Sequence, residues 1–209
     1  MIRTPRPTGY VASNERFNER EFNEKGYTLI DNFLPNDIYA KIRGVLTGSG
    51  KHSYAQAEIA ADPYLEHFPW NFTPGVVGKE ITGGKPEEEH IYFTSLLFFS
   101  TPLSKWCPLI MGPILERTPN LRALQRCKAN LYPRDSQFFE HAPHHDNTWE
   151  DAKGMLFMVN TCNGFTRLHD GTKFDSVGNR MLFFRPHLDH NSTNTTNAHC
   201  RVTINFNYF

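Results

Sequence analysis

Apolar and polar positions alternate most cleanly at the C-terminal end of the chain. From 199 to 208, Cys200, Val202, Ile204, Phe206 and Tyr208 fall on one face. His199, Arg201, Thr203, Asn205 and Asn207 fall on the other, since successive side chains of a strand point to opposite sides. The same period runs through 122–132, where Arg126, Lys128, Asn130 and Tyr132 oppose Cys127, Ala129 and Leu131. Further short strands are predicted at 137–141, 154–160, 165–168, 173–177 and 180–184. Asn163-Gly164, Asp170-Gly171 and Gly178-Asn179 supply turns between them. Many short strands at regular spacing predict a barrel or jelly roll.

The N-terminal half reads differently. Residues 1–13 carry Pro5, Pro7 and Gly9 and little apolar content, as expected of a loose tail. Residues 14–25 predict a solvated helix capped by Asn14 and stopped by Gly26, followed by a strand over 26–31. Pro35 opens a second helix whose Ile38, Ile42, Val45 and Leu46 form one apolar stripe. Residues 48–90 show no period, yet hold Tyr54, Tyr64, Phe68, Trp70 and Phe72 among glycines and prolines. Such a stretch is either a lid over a site or satellite core on the outside of the barrel. Residues 91–99 predict a buried strand, and Thr101-Pro102 opens a helical stretch interrupted by Pro108 and Pro113. The expected organisation is a tail (1–13) and a single domain (14–209). Within it, 14–121 is helical support and lid, and 122–209 is the core jelly roll.

Composition narrows the function classes. A chain of 209 residues buries roughly 70% of its unfolded surface and folds without staples. Lys and Arg together number 22, as do Asp and Glu, so the formal net charge is zero. That argues against a nucleic-acid partner, which takes a basic excess, and against an anionic membrane surface. An aromatic fraction of 13% with 17 Phe excludes disorder for most of the chain. The four cysteines form no CxxC pair, so neither a disulfide framework nor a thiolate zinc knuckle is expected. No apolar run is long enough to span a bilayer or to act as a signal segment. The expectation is a soluble protein of a reducing cytoplasm.

The sharpest chemical feature is His144-His145-Asp146. If these residues are extended, His144 and Asp146 share a face and His145 points away. One imidazole and one carboxylate make two of the three ligands of a 2-His-1-carboxylate facial triad. The third must be distant, and His187 and His190 both follow the apolar strand at 180–184. The polar faces of 126–132 and 199–207 either line a ligand cavity or look out to solvent. A zinc site built from His141, His144 and His145 is disfavoured, because Pro143 breaks the helix such spacing would need.

In this order of residues the chain resembles the iron(II)- and 2-oxoglutarate-dependent oxygenases, in the prolyl-hydroxylase-like branch. The resemblance rests on HxD at 144–146, a distal His, and Arg201-Val202-Thr203, whose Arg falls eleven positions after His190. Phe183-Phe184-Arg185-Pro186 resembles the strand before the distal ligand, which favours His190 over His187. Asn130-Leu131-Tyr132 resembles the strand before HxD, and Ile30-Asp31-Asn32-Phe33-Leu34-Pro35 the entry to the first core helix. The short phage-borne members look most similar, by the Asn163-Gly164-Phe165-Thr166 turn and the Asn205–Phe209 ending.

The resemblance implies a mainly β fold, a double-stranded β-helix (a jelly-roll, cupin-like barrel) with flanking N-terminal helices. It implies iron(II) held by His144, Asp146 and His190. It implies 2-oxoglutarate bound by Arg201 and Thr203 on its 5-carboxylate, with Tyr132 and Asn130 beside it and Lys128 as the rival anchor. O2 is the oxidant, ascorbate an accessory reductant, and succinate and CO2 the co-products of hydroxylating a peptide or small-molecule C–H bond. The location implied is cytoplasmic, in a host cell for a phage-encoded chain. Two other readings remain: a nucleic-acid-repair oxygenase of the same fold, which needs a basic groove, and a jelly-roll binding or virion structural protein with an incidental HxD.

Overall fold

The computed structural model describes residues 17–48, 68–76 and 90–209. Helix α1 (Glu19–Lys25) is shorter than its polar composition predicts. Its cap is Asn18, not Asn14: the Asn18 side chain accepts from the Glu21 amide at 3.0 Å. Gly26 ends the helix at φ 83°, left-handed backbone that glycine takes without strain. Strand β1 (Tyr27–Ile30) follows, then α2 (Asn36–Thr47), which buries Ile42 and Leu46.

β2 (Asn71–Thr73) and β3 (Tyr92–Phe99) pair antiparallel, and the two-residue β4 (Thr101–Pro102) also pairs with β3. Burial of β3 is only partial, against expectation, with Leu96 and Phe99 exposed. On its outer side only the short β2 and β4 cover it, although β5 pairs along its inner side. Thr101-Pro102 is strand, not helix. Pro108 and Pro113 sit in the first turns of two short helices, α3 (Cys107–Ile110) and α4 (Gly112–Leu115). There a missing N–H costs nothing, so these prolines start helices instead of interrupting one.

The rest is β5 (Leu124–Pro133), β6 (Lys153–Met158), β7 (Phe165–Leu168), β8 (Lys173–Asp175), β9 (Arg180–Phe184), β10 (His190–Ser192) and β11 (Cys200–Tyr208). The larger sheet runs β1-β9-β6-β11-β5-β3-β2, and the smaller runs β10-β7-β8. The strand expected at 137–141 does not form. The Asn194 side chain occupies that backbone instead, accepting from the Phe139 amide and donating to the Gln137 carbonyl. Single bridges Glu140↔Thr193 and His144↔His190 still align the segment with the smaller sheet.

The alternation in the sequence separates two interiors. Met155 and Phe157 of β6, Met181 and Phe183 of β9, and Ile204 and Phe206 of β11 pack with Ile42 and Leu46 in the cluster under the helices. The intervening Leu156, Met158, Leu182 and Phe184 join Leu168 and Phe174 between the two sheets. The polar face of β11 is therefore not solvent-facing: Arg201, Thr203, Asn205 and Asn207 are all buried. The fold class agrees with the sequence expectation of a mainly β jelly roll with flanking N-terminal helices.

Of the aromatics in 48–90, Tyr54 and Tyr64 lie outside the described residues. Phe68 is buried, with its ring 4.8 Å from Trp70 and 5.7 Å from Trp106. Phe68 belongs to the core under the helices and the partly buried Trp70 packs against it, as satellite packing would have it. Phe72 is exposed and lies against Phe93. No helix among the described residues is long and apolar enough to cross a membrane.

Candidate metal centre and ligand pocket

His144, Asp146 and His190 converge at the mouth of the barrel. One ligand atom from each lies within 4.8 Å of the others, and this is the only such group among the described residues. The expected face-sharing arises differently from the expected way, because residues 144–146 are not a regular strand. His144 makes a single bridge, its amide donating to the His190 carbonyl at 3.0 Å and its carbonyl accepting from the His190 amide at 2.8 Å. The chain then bends, and the Asp146 amide donates to the Pro186 carbonyl at 2.8 Å. The HxD segment and the loop after β9 are thus tied at both ends, which brings three residues distant in sequence to one point.

The local chemistry fits a divalent metal. His144 Nδ1 lies 3.4 Å from the Ala142 carbonyl and His190 Nδ1 lies 3.2 Å from the Leu188 carbonyl. A proton on Nδ1 leaves Nε2 of each ring with a free lone pair. Burial, then repulsion from His190, lowers His144 to about 4, so its imidazole is neutral at pH 7. Asp146 is opposed by burial, but His190, Arg126 and the Asn205 amide hold its carboxyl well below the usual range. Arg126 Nη2 donates to Asp146 Oδ1 at 2.6 Å, and Asn205 Nδ2 to Oδ2 at 2.9 Å. Asn207 Nδ2 also donates to Oδ2, at 3.3 Å, and Asn207 Oδ1 accepts from Arg126 Nε at 3.0 Å. The carboxylate is thereby fixed before any metal arrives. None of these three hydrogen-bonding roles was read from the sequence, although all three residues stand on the polar faces and Arg126 and Asn207 pair directly in the β5–β11 register.

The competing histidines are elsewhere. His187 is not in the group, and its buried Nδ1 has no partner. His145 is exposed, with Nδ1 3.4 Å from Asp189. His141 is stacked on Tyr132 and bonded through Nδ1 to Ser192 Oγ at 2.9 Å. Of the zinc candidates, only His144 joins the group.

A pocket runs from the triad along the inner faces of β5 and β11. The register makes it a ladder of rungs: Arg126–Asn207, Lys128–Asn205, Asn130–Thr203 and Tyr132–Arg201. Arg201 is fully buried at the far end. Its Nη1 donates to the Thr193 carbonyl at 3.0 Å and its Nη2 to Thr166 Oγ1 at 2.8 Å, while Nε has no partner. The guanidinium lies 5.5 Å from the centre of the Tyr132 ring, and no carboxylate pairs with it among the described residues. Gly164 makes room for it: a Cβ there would meet Arg201 Cδ at 2.5 Å and the Asn194 carbonyl oxygen at 2.6 Å. Thr203, Asn130 and Tyr132 also face the pocket, and the Asn130 side-chain oxygen is buried without a partner.

No family model matches the sequence, and no curated protein sequence is similar to it. Solved structures are similar in fold. A prolyl hydroxylase from Trichoplax adhaerens, in complex with a hypoxia inducible factor peptide fragment, is 16% identical. The match covers 91% of this chain and 86% of that one, with a TM-score of 0.57. The viral collagen prolyl hydroxylase of Paramecium Bursaria Chlorella virus-1, in its 2-oxoglutarate complex, is 11% identical over 88% and 96% of the two chains, with a TM-score of 0.52. An alpha-ketoglutarate-dependent non-heme carbocyclase of nogalamycin biosynthesis is 9% identical over 94% and 85%, with a TM-score of 0.58. The chain therefore has the jelly-roll fold of the 2-oxoglutarate- and iron(II)-dependent oxygenases.

Proposed function

We propose that the protein is an iron(II)- and 2-oxoglutarate-dependent dioxygenase that hydroxylates a C–H bond of a peptide or small molecule, releasing succinate and CO2. The observation that carries this reading is the juxtaposition of a His-Asp-His triad with a fully buried arginine that has no carboxylate of its own. An unneutralised buried guanidinium is costly unless a ligand supplies the counter-ion. Its planar fork suits the far carboxylate of a dicarboxylate. A jelly-roll binding or virion structural protein accounts for the barrel but gives neither feature a use. The neutral charge balance argues against a nucleic-acid substrate, which takes a basic excess.

His144, Asp146 and His190 would hold the metal, whose bound form supplies activation of O2 and of the co-substrate; borderline imidazole and hard carboxylate donors suit iron(II). Arg126, Asn205 and Asn207 keep the Asp146 carboxylate oriented and ionised. Arg201 and Thr203 would hold the 5-carboxylate, with the Tyr132 ring under the guanidinium and Asn130 on the adjoining rung. Leu156 and Phe184 supply apolar lining to the pocket. The peptide-bound hydroxylase and the carbocyclase among the fold neighbours act differently, so the class of C–H bond is set by the pocket and not by the fold.

Titration of Mn(II) onto the metal-free protein tests the ligand set. One equivalent should bind to wild type, to His145→Ala and to His187→Ala, whereas Asp146→Ala and His190→Ala should lose the site. Full stoichiometry in either of the latter two would remove that residue from the centre.

A further inference from the structure

The pocket contains a second cation that the co-substrate anchor does not use. Lys128 stands on the inner face of β5, opposite Asn205, one rung from the Arg126–Asn207 pair that holds Asp146. Four residues of strand, roughly 13 Å, separate it from Tyr132, the register partner of Arg201. Its side chain lines the same pocket as the triad and Arg201. Among the described residues its ammonium makes no hydrogen bond and no ion pair, and its aromatic neighbour is Tyr92, with the ring centre 5.9 Å away.

The one carboxylate nearby, Asp146, acts on it at a distance but makes no hydrogen bond or ion pair with it. Asp146 Oδ1 takes Arg126, and Oδ2 takes Asn205 and Asn207. On the same rung the Asn205 side-chain oxygen is buried without a donor, as is that of Asn130 one rung further along. Burial first, then the Arg126 charge, lowers Lys128 to about 8, and the Asp146 charge opposes this only in part.

We propose that Lys128 is a carboxylate-binding position at the metal end of the pocket, separate from Arg201. The cavity is then a clamp with a cation at each end. The carboxylate it takes has two sources: the metal-end carboxylate of the co-substrate, or a carboxylate on the prime substrate placed beside the reacting C–H bond. Only the naming of these sources rests on the oxygenase reading; the anion site itself rests on Lys128, Arg201 and their surroundings.

Glutarate, a dicarboxylate with no keto group to chelate a metal, is the probe. It is titrated calorimetrically onto the chelator-treated full-length protein and onto Lys128→Met, Lys128→Gln and Lys128→Arg. Wild type and Lys128→Arg should bind it, and Lys128→Met and Lys128→Gln at least tenfold more weakly. The ligand-free Lys128→Met protein should melt no lower than wild type, since an apolar side chain replaces an unpaired charge. Two further arms assign the source: 2-oxoglutarate on the Mn(II)-loaded protein, and acetate on protein already holding Mn(II) and 2-oxoglutarate. A tenfold loss for 2-oxoglutarate in Lys128→Met assigns the position to the co-substrate. Unchanged 2-oxoglutarate with lost acetate binding assigns it to the prime substrate. Equal glutarate affinity in wild type and Lys128→Met, or no glutarate binding to wild type, overturns the proposal. Lysine-dependent glutarate binding by a protein that takes neither Mn(II) nor 2-oxoglutarate would overturn the oxygenase reading and leave the carboxylate position standing.

Discussion

Arg201 concentrates the energetics of the pocket in one side chain. It is fully buried, held at two nitrogens and free at the third, and Gly164 is shaped around it. Truncating one partner of a buried charge pair costs about 3–5 kcal/mol, enough to take 2-oxoglutarate binding below calorimetric detection in Arg201→Ala. Normal affinity in that variant would move the 5-carboxylate to another residue. Histidine protonation gives a second test at this scale. Burial first, then the Arg201 charge, lowers His141 to about 3, and burial lowers His144 to about 4, from an ordinary 6.5. The unfolded chain therefore takes these protons first. The stability they contribute is whole above pH 6.5 and is lost as pH falls toward 4 and then 3. The urea midpoint of the metal-free protein should drop between pH 7 and pH 4, and by less in His141→Gln. An equal drop in both proteins would mean that His141 is not part of it.

Strand β11 does two jobs at once: its apolar face closes the core under the helices and its polar face lines the pocket. Period-two alternation made that strand legible in the sequence, and β7 and β9 were legible to the residue. What alternation alone could not decide was whether the polar face met solvent or a ligand cavity. The answer depends on the smaller sheet lying across it, and β10 is only three residues long, too short to carry a pattern. The 137–141 segment misled for a related reason: it has the composition of a strand, but side-chain hydrogen bonds from Asn194 replace a ladder. Because β11 joins both interiors, a cavity on its apolar face should be felt throughout. Phe206 is fully buried, and Phe206→Ala should cost about 3–5 kcal/mol of stability, read as a lowered denaturant midpoint with an unchanged slope. A cost under about 1 kcal/mol, the level of a volume-conserving core swap, would mean that the two layers are not packed as described.

Across the whole molecule, two antiparallel sheets hold residues from 126 to 207 around one point, though these come from four separate stretches of the chain, 126–132, 144–146, 190 and 201–207. The HxD pair, the distal histidine and Arg201 could be named from their order in the chain. Arg126, Asn205 and Asn207 could not, because their role depends on the β5–β11 register, which sequence spacing does not reveal. The central question is whether this triad and this arginine turn over 2-oxoglutarate. Succinate formed from 2-oxoglutarate in air, with iron(II) and purified protein, is the measurement to make, in wild type and in Asp146→Ala. Slow succinate formation by wild type without prime substrate, and none by Asp146→Ala, is the predicted result. Equal succinate in the two proteins, or none in wild type despite bound iron(II), would contradict it.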